Sequence, residues 1–183
     1  MALRIKSHWH KEEKARSTEE IAGAIAFSSW RIAVDKAMVL YQEHFDYTSD
    51  QQRLDVITEY LLFQVQIVDR LLHDKLSMEE RRQLITSLAQ RLAEHVQENS
   101  QELLGEDDYR SKFIERLNQR SDEYAQFGFD EDGPTYPFMR HLGYEIQLLM
   151  GKESDNRWVI DQVMDKDGRE VYTQLKKLVK NLT

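Results

Sequence analysis

The longest dense run of large apolar residues lies between Arg53 and Asp74. At the 3.6-residue period of an α-helix, this run forms two adjacent apolar rows that cover roughly half of the circumference or more. The first row is Leu54, Ile57, Leu61, Val65, Val68 and Leu72, and the second is Val56, Tyr60, Ile67 and Leu71. Because an ordinary surface helix has a narrower apolar stripe, the pattern predicts the central helix of a bundle.

Polar side chains on this helix fall within a stripe roughly 60° wide on a wheel that turns 100° per residue. They are Asp55, Glu59, Gln66, Arg70 and His73. Polar groups on a helix that is predicted to be buried need partners on neighbouring helices. The stripe is therefore the first place to search for a functional site.

Helix starts are indicated by capping boxes, in which a Ser or Asp and a Glu or Gln three residues later bond each other's backbone N–H groups. Boxes begin at Ser17, Ser49 and Ser77, and a fourth pairs Asp167 with Glu170. With the apolar periodicity, they predict helices at about 17–45, 50–74, 78–104, 109–126, 137–150 and 168–182, with a short helix after Ser154 or Asp155. The first connections are short, so consecutive helices are expected to be antiparallel neighbours.

One segment, residues 127–137, breaks the helical pattern. Residues 127–138 contain both prolines, two of the seven glycines and four aromatic residues. This composition predicts a long connection that is aromatic enough to be ordered, and such connections often carry function. The candidate residues in it are Phe127, Phe129, Asp130, Asp132 and Tyr136.

Composition supports one all-α domain. The 183 residues include only 2 Pro and 7 Gly, while 32% are charged, which favours long helices with solvated faces. A chain of this length buries enough surface to fold without metal or disulfide support. We expect a polar N-terminal arm over 1–16, which lacks the apolar core of a secretion signal. Residues 17–183 are then a single antiparallel bundle of six or seven helices.

The charge and motif content exclude several functions. A net charge of −8 argues against a nucleic-acid partner, and no window is apolar enough to span a bilayer. The chain has no cysteine, no glycine-rich phosphate loop and no recognisable nucleophile motif. These features indicate an acidic cytoplasmic protein that is more consistent with a non-enzyme than with an enzyme.

Familiar metal motifs are incomplete. No Glu stands three residues before any histidine, which argues against a di-iron bundle of the usual kind. His141 and Glu145 have a spacing that can share a metal, but they lack further paired histidines. Two calcium-like stretches, at Asp130–Gly133 and Asp165–Gly168, have no Glu at the closing position. No cofactor is therefore predicted, and a divalent metal remains an alternative.

Helix register predicts one polar cluster inside the bundle. If the first three helices are antiparallel neighbours, Asp35, Glu59 and His95 lie at one depth, with Arg31 and Arg91 nearby. Two carboxylates and an imidazole could bind a metal or perform acid–base chemistry. The same residues could instead form an interhelical ion-pair network in which Arg31 pairs with Asp35 and Arg70 or Arg91 serves Glu59. The network is the preferred interpretation.

Three functional hypotheses follow. The first is a helical interaction or regulatory module that forms a homodimer or binds a protein partner, because the first two helices carry more apolar surface than the rest can cover. The second is a metal-binding or acid–base enzyme that uses the Asp35, Glu59 and His95 cluster. The third is a small-ligand pocket between helices with the aromatic loop as its lid.

Overall fold

The computed structural model describes residues 16–183, so the predicted arm lies outside the described residues except for Arg16. The described chain is all-α apart from one short hairpin. Its helices are α1 (Thr18–Gln42), α2 (Asp50–Leu72), α3 (Met78–Leu104), α4 (Tyr109–Tyr124), α5 (Tyr136–Met150), α6 (Val159–Gln162) and α7 (Gly168–Leu182). The hairpin strands are β1 (Phe129–Asp130) and β2 (Gly133–Pro134).

Helix α2 is the centre of the bundle, as its apolar width predicts. It contacts α1, α3, α4, α5 and α7. Every residue from Val56 to Val68 is buried, so the helix is covered around its whole circumference. The buried stretch includes four polar residues, namely Thr58, Glu59, Gln64 and Gln66.

Local sequence signals set the helix starts. The capping boxes at Ser17 and Ser77 are both complete. At Ser49 only half of the box forms, because the Gln52 side chain turns away to the Thr48 N–H and the Leu149 carbonyl. The second of these bonds joins the start of α2 to the end of α5.

The predicted capping box at Asp167 is wrong. Asp167 has helical dihedrals, φ −63° and ψ −47°, and its side chain makes no cap hydrogen bond. The helical backbone runs without a break from α6 through a π-helical turn, Val163–Asp167, into α7. Asp167 is fully buried there, so tertiary packing has overridden a local capping preference. Single π turns inside helices are frequent at functional sites.

The aromatic connection is packed against the bundle. Phe129 lies edge-on to Phe138 and Tyr172, with ring centroids 5.9 Å apart in both pairs. Gly133 has φ +112°, and a Cβ atom there would lie 2.4 Å from Cζ of Tyr172. The turn therefore requires glycine both for its backbone conformation and for the close approach of α7. Helix α5 then begins at Tyr136, one residue earlier than predicted.

Candidate functional site

The structure does not bring the predicted polar cluster together. Asp35 and Arg31 are exposed on the outer side of α1, and neither forms an ion pair within 4.0 Å among residues 16–183. Glu59, in contrast, is only 1% exposed and points toward α4. Its partners there are Arg116 and Arg120.

The other two members of the predicted cluster lie on α3, away from Glu59. His95 is half-buried, and its ring lies 5.8 Å from that of Trp30. Arg91 is exposed and pairs with Glu19 at 3.6 Å. Both residues therefore join α3 to α1 at the surface of the bundle.

Glu59 forms a bidentate salt bridge with Arg120. The Arg120 Nε and Nη2 atoms each lie 2.9 Å from a separate carboxylate oxygen of Glu59. Arg116 adds a contact at 3.0 Å to Glu59 and another at 3.2 Å to Asp55. Because Arg120 binds both oxygens of Glu59 in a fork geometry, the buried carboxylate is paired and hydrogen-bonded at once, and Arg116 adds a second positive charge beside it.

Arg120 also links Glu59 to a more exposed group of acids. Its Nη1 atom donates to Glu123 at 2.8 Å, and its Nη2 atom contacts Glu145 on α5. His141 Nε2 lies 2.8 Å from the same oxygen of Glu123. We call these seven residues the α4 network: Asp55, Glu59, Arg116, Arg120, Glu123, His141 and Glu145.

The α4 network carries more negative than positive charge. It contains four carboxylates but only two guanidiniums, with one imidazole that can add a proton. Burial raises the pKa of Glu145 despite the opposing charge of Arg120. Burial acts on Glu123 in the same direction, but hydrogen bonds from Gln119 and His141 and the Arg120 charge lower the pKa of Glu123 overall. The pKa values of these two carboxyl groups are thus shifted in opposite directions, and Glu145 is the less readily ionised of the pair.

Three members of the network have the composition of a metal site. One ligand atom from each of Glu123, His141 and Glu145 lies within 4.8 Å of the others. Carboxylate and imidazole ligands in this combination suit divalent zinc, manganese or iron. The guanidinium of Arg120 contacts both carboxylates, so an incoming cation competes with it.

The predicted loop residues have different surroundings. Phe127 packs on His141 at 5.3 Å and on Tyr124 at 6.2 Å, which places the start of the loop beside the α4 network. Asp130 accepts a bond from the Asp132 N–H within the hairpin turn, and both are exposed. Phe129 is packed in the bundle, whereas Tyr136 is 68% exposed.

A second buried ionic cluster lies between α1, α2 and the π turn. Asp167 accepts a hydrogen bond from the Tyr60 hydroxyl at 2.8 Å, and Lys36 Nζ lies 3.7 Å from its other oxygen. Lys36 is 3% exposed and also pairs with Glu170. Burial raises the pKa of Asp167, although Tyr60 and Lys36 act against that shift. The sequence does not predict this cluster, because the pairing of Asp167 with Glu170 indicates a helix cap there.

Arg116 and Arg120 were also missed, although a signal exists for the second. Arg120 is three residues after Leu117 and seven after Phe113, so it lies on the apolar face of α4. A charged residue in that position must be paired if the helix packs with that face inward.

A third feature is an apolar row on the outer side of α1. Three of its members are exposed large side chains, namely Phe27 at 57%, Met38 at 52% and Tyr41 at 62%. Trp30 and Val34 lie between them and are partly buried. We call these five residues the outer row of α1. A helix at the surface of a bundle ordinarily presents polar residues in this direction.

No protein-family model, curated protein or solved structure matches the chain. Among residues 16–183, no helix is long and apolar enough to cross a bilayer.

Proposed function

We propose that this chain is a cytoplasmic helical interaction module that associates with a second copy of itself. The observation that carries the proposal is the outer row of α1, an apolar stripe about 21 Å long at 1.5 Å per residue. Helix α1 already buries Ala22, Ile25, Ala33 and Leu40 in the core of the bundle. A second apolar face on the same helix is typical of a protein-protein contact.

The spacing of the outer row favours a symmetric pairing. Its residues follow one another at intervals of three, four, four and three, which is symmetric about Val34. A two-fold axis at Val34 places Phe27 opposite the partner's Tyr41, and Trp30 opposite the partner's Met38. Isologous contacts of this kind are the commonest way in which identical chains associate.

Charges beside the outer row fit the same pairing. Arg31 and Asp35 follow the row on the side away from α3, and both are exposed. In an antiparallel pair of α1 helices, Arg31 of one copy lies within one turn of the partner's Asp35. Each dimer would therefore form this opposite-charge contact twice.

A surface groove extends the apolar area beyond α1. It has a volume of about 790 Å³ and lies between α1, the start of α2 and the end of α3. Four residues of the outer row line it, together with Tyr47, Leu54 and Leu103. Leu103 is 47% exposed and would be covered by the same partner.

Light scattering over a concentration series tests the proposal. We expect the wild-type mass to rise from monomer to dimer as concentration increases, and Met38→Lys to remain a monomer throughout. Met78→Lys is the matched control, because Met78 is 80% exposed but lies outside the outer row. A wild-type monomer at every concentration would refute self-association.

Charge reversal distinguishes the antiparallel α1 pairing from other dimers. Arg31→Asp and Asp35→Arg each place like charges together across the two-fold axis, so each should weaken dimerisation several-fold. The double variant restores opposite charges and should recover the wild-type association constant. Dimerisation that is insensitive to these changes would place the interface elsewhere.

A second candidate function is supported by the charge of the α4 network. Its surplus of carboxylates favours binding of one divalent cation by Glu123, His141 and Glu145. Calorimetric titration with zinc or manganese should then give one site per chain, weakened about tenfold or more in Glu123→Gln and His141→Ala. Glu115→Gln is the control, since this exposed residue of α4 lies outside the network. A titration without a binding signal in the wild-type protein would reject the site.

A further inference from the structure

A cleft of about 700 Å³ lies between α2, α3 and α4, and no residue of the outer row lines it. This volume is within the range of small-molecule sites. Its floor is apolar and is formed by Val65, Ile85, Ala89, Ile114 and Leu117. None of these residues belongs to the α4 network.

The rim of the cleft is cationic although the chain as a whole has a net charge of −8. Three arginines line it, one from each helix, namely Arg70, Arg81 and Arg110. The one carboxylate among the lining residues is Asp69, which lies 3.4 Å from Arg81.

Two of the three guanidiniums have no carboxylate partner within residues 16–183. Arg70 donates to the Tyr124 carbonyl at 3.3 Å, and no ion pair of Arg110 lies within 4.0 Å among the described side chains. The rim thus keeps positive charge that a ligand can neutralise. Guanidinium groups bind carboxylate, phosphate and sulfonate oxygens with two parallel hydrogen bonds.

The cleft is elongated along α4. Arg81 lies in the first turn of α3, beside the α2–α3 connection, whereas Arg110 lies in the first turn of α4, which follows the far end of α3. From Arg110 to Ser121, which lines the other end, the rise along α4 is about 16 Å. A cleft of this length, with an apolar floor and arginines at both ends, fits an elongated molecule better than a compact one.

We propose that this cleft binds a single amphipathic anion, with its apolar body on the floor and its acidic group held by Arg70 and by Arg81, which also contacts Asp69 at 3.4 Å. The ligand class is a free medium-chain or aromatic carboxylate. A membrane surface is a separate source of anionic groups, and the experiment distinguishes it.

Fluorescence titration with anilinonaphthalene sulfonate, an aromatic anion, tests the cleft on the full chain. We expect saturable binding of one probe per chain that decanoate displaces and decanol does not, because decanol lacks the charge. Vesicles of phosphatidylglycerol should not compete with the probe. Competition by vesicles but not by decanoate would instead identify a membrane surface as the partner and overturn the proposal.

Paired variants locate the probe. Arg81→Gln should weaken binding about tenfold, as expected for loss of a charge-assisted hydrogen bond. Arg82→Gln is the matched control, because Arg82 is exposed and pairs with Glu79 outside the cleft. Thr86→Trp should fill the cleft and abolish binding, whereas Gln83→Trp, on the same helix but outside the lining, should not.

Circular dichroism of each variant verifies that the fold is intact, since this probe also binds partly unfolded chains. Binding that persists in folded Thr86→Trp, or that decanol displaces as well as decanoate, would overturn the proposal.

Discussion

Two buried carboxylates in this bundle are stabilised in different ways. Glu59 is 1% exposed and receives two guanidiniums, with three contacts of 3.0 Å or less. Asp167 is 0% exposed, accepts a hydrogen bond from the Tyr60 hydroxyl and lies 3.7 Å from the ammonium of Lys36. The first depends on charge pairing and the second mainly on a neutral donor.

The difference predicts how each site responds when a partner is removed. Removing a guanidinium from Glu59 leaves a buried carboxylate with part of its charge uncompensated, which is strongly destabilising. Asp167 can escape the cost of burial by taking up a proton, as the raised pKa of its carboxyl indicates. Substitutions at the Glu59 site should therefore destabilise most.

Among the substitutions considered, Arg120→Met should lower the free energy of unfolding most. It removes the bidentate salt bridge with Glu59 and leaves Arg116 as the remaining guanidinium beside that buried carboxylate. We expect the free energy of unfolding to fall by about 3–5 kcal/mol, measured by urea denaturation.

The double variant Glu59→Leu with Arg120→Met is the control for this loss. It removes the unpaired charge along with its partner, so it should recover part of the lost stability. A single variant that costs less than about 1 kcal/mol would show that the α4 network contributes little to the fold.

Lys36→Met should lower the free energy of unfolding less than Arg120→Met does, by about 2 kcal/mol at neutral pH, because Asp167 keeps its hydrogen bond from Tyr60. The cost should shrink as pH falls. The pKa of Asp167 is already raised in the folded state, so its ionisation lowers stability as pH rises from about 4 through the folded value. Removing the nearby ammonium raises that folded pKa further and deepens the loss at neutral pH.

Urea denaturation at pH 4 and pH 7 measures the difference for Lys36→Met. A cost that is equal at both values would contradict a role for Asp167 ionisation. Lys166→Met is the control, because Lys166 is half exposed and its ion-pair partner within residues 16–183 is the exposed Glu43.

The elements of this fold could be predicted because their signals are local. Apolar periodicity and the boxes at Ser17 and Ser77 define helices within a few residues of where they occur. The central position of α2 followed from its own apolar width. The absence of sheet beyond one short hairpin, within residues 16–183, agrees with the predicted all-α class.

The partners within the bundle could not be predicted in the same way. Pairing Glu59 with Arg120 depends on the rotation of α4 about its own axis, which α2 does not determine. Helix register predicts Asp35 beside Glu59, whereas Asp35 is exposed on the outer side of α1. Likewise, the breadth of apolar surface on α1 was visible, but which of its two faces the bundle would cover was not.

Tyr60→Phe should lower the free energy of unfolding by about 1 kcal/mol, less than Lys36→Met and more than Glu145→Gln. It removes one hydrogen bond to a buried acceptor without changing the packing. Burial and the nearby Asp167 charge raise the pKa of Tyr60 far above its usual value, so the hydroxyl remains a donor at every pH of interest. Thermal unfolding measures the loss. Tyr144→Phe is the control, because that ring is 44% exposed.

Glu145→Gln should change the free energy of unfolding least. Its dependence on pH should be opposite to that of Lys36→Met. It removes the carboxylate whose pKa burial raises and leaves an amide oxygen that can still accept from Arg120. In the wild-type protein, ionisation of Glu145 lowers the free energy of unfolding as pH rises from the ordinary pKa of Glu through the raised pKa of the folded state. The amide of the variant does not ionise, so this loss is absent there. Relative to wild type, the variant should be more stable at pH 7 than at pH 4, with a difference at pH 7 within about 0.5 kcal/mol of zero. Urea denaturation at the two pH values measures this trend, and a loss at pH 7 as large as that of Arg120→Met would show that all of the acids around Arg120 are needed as anions.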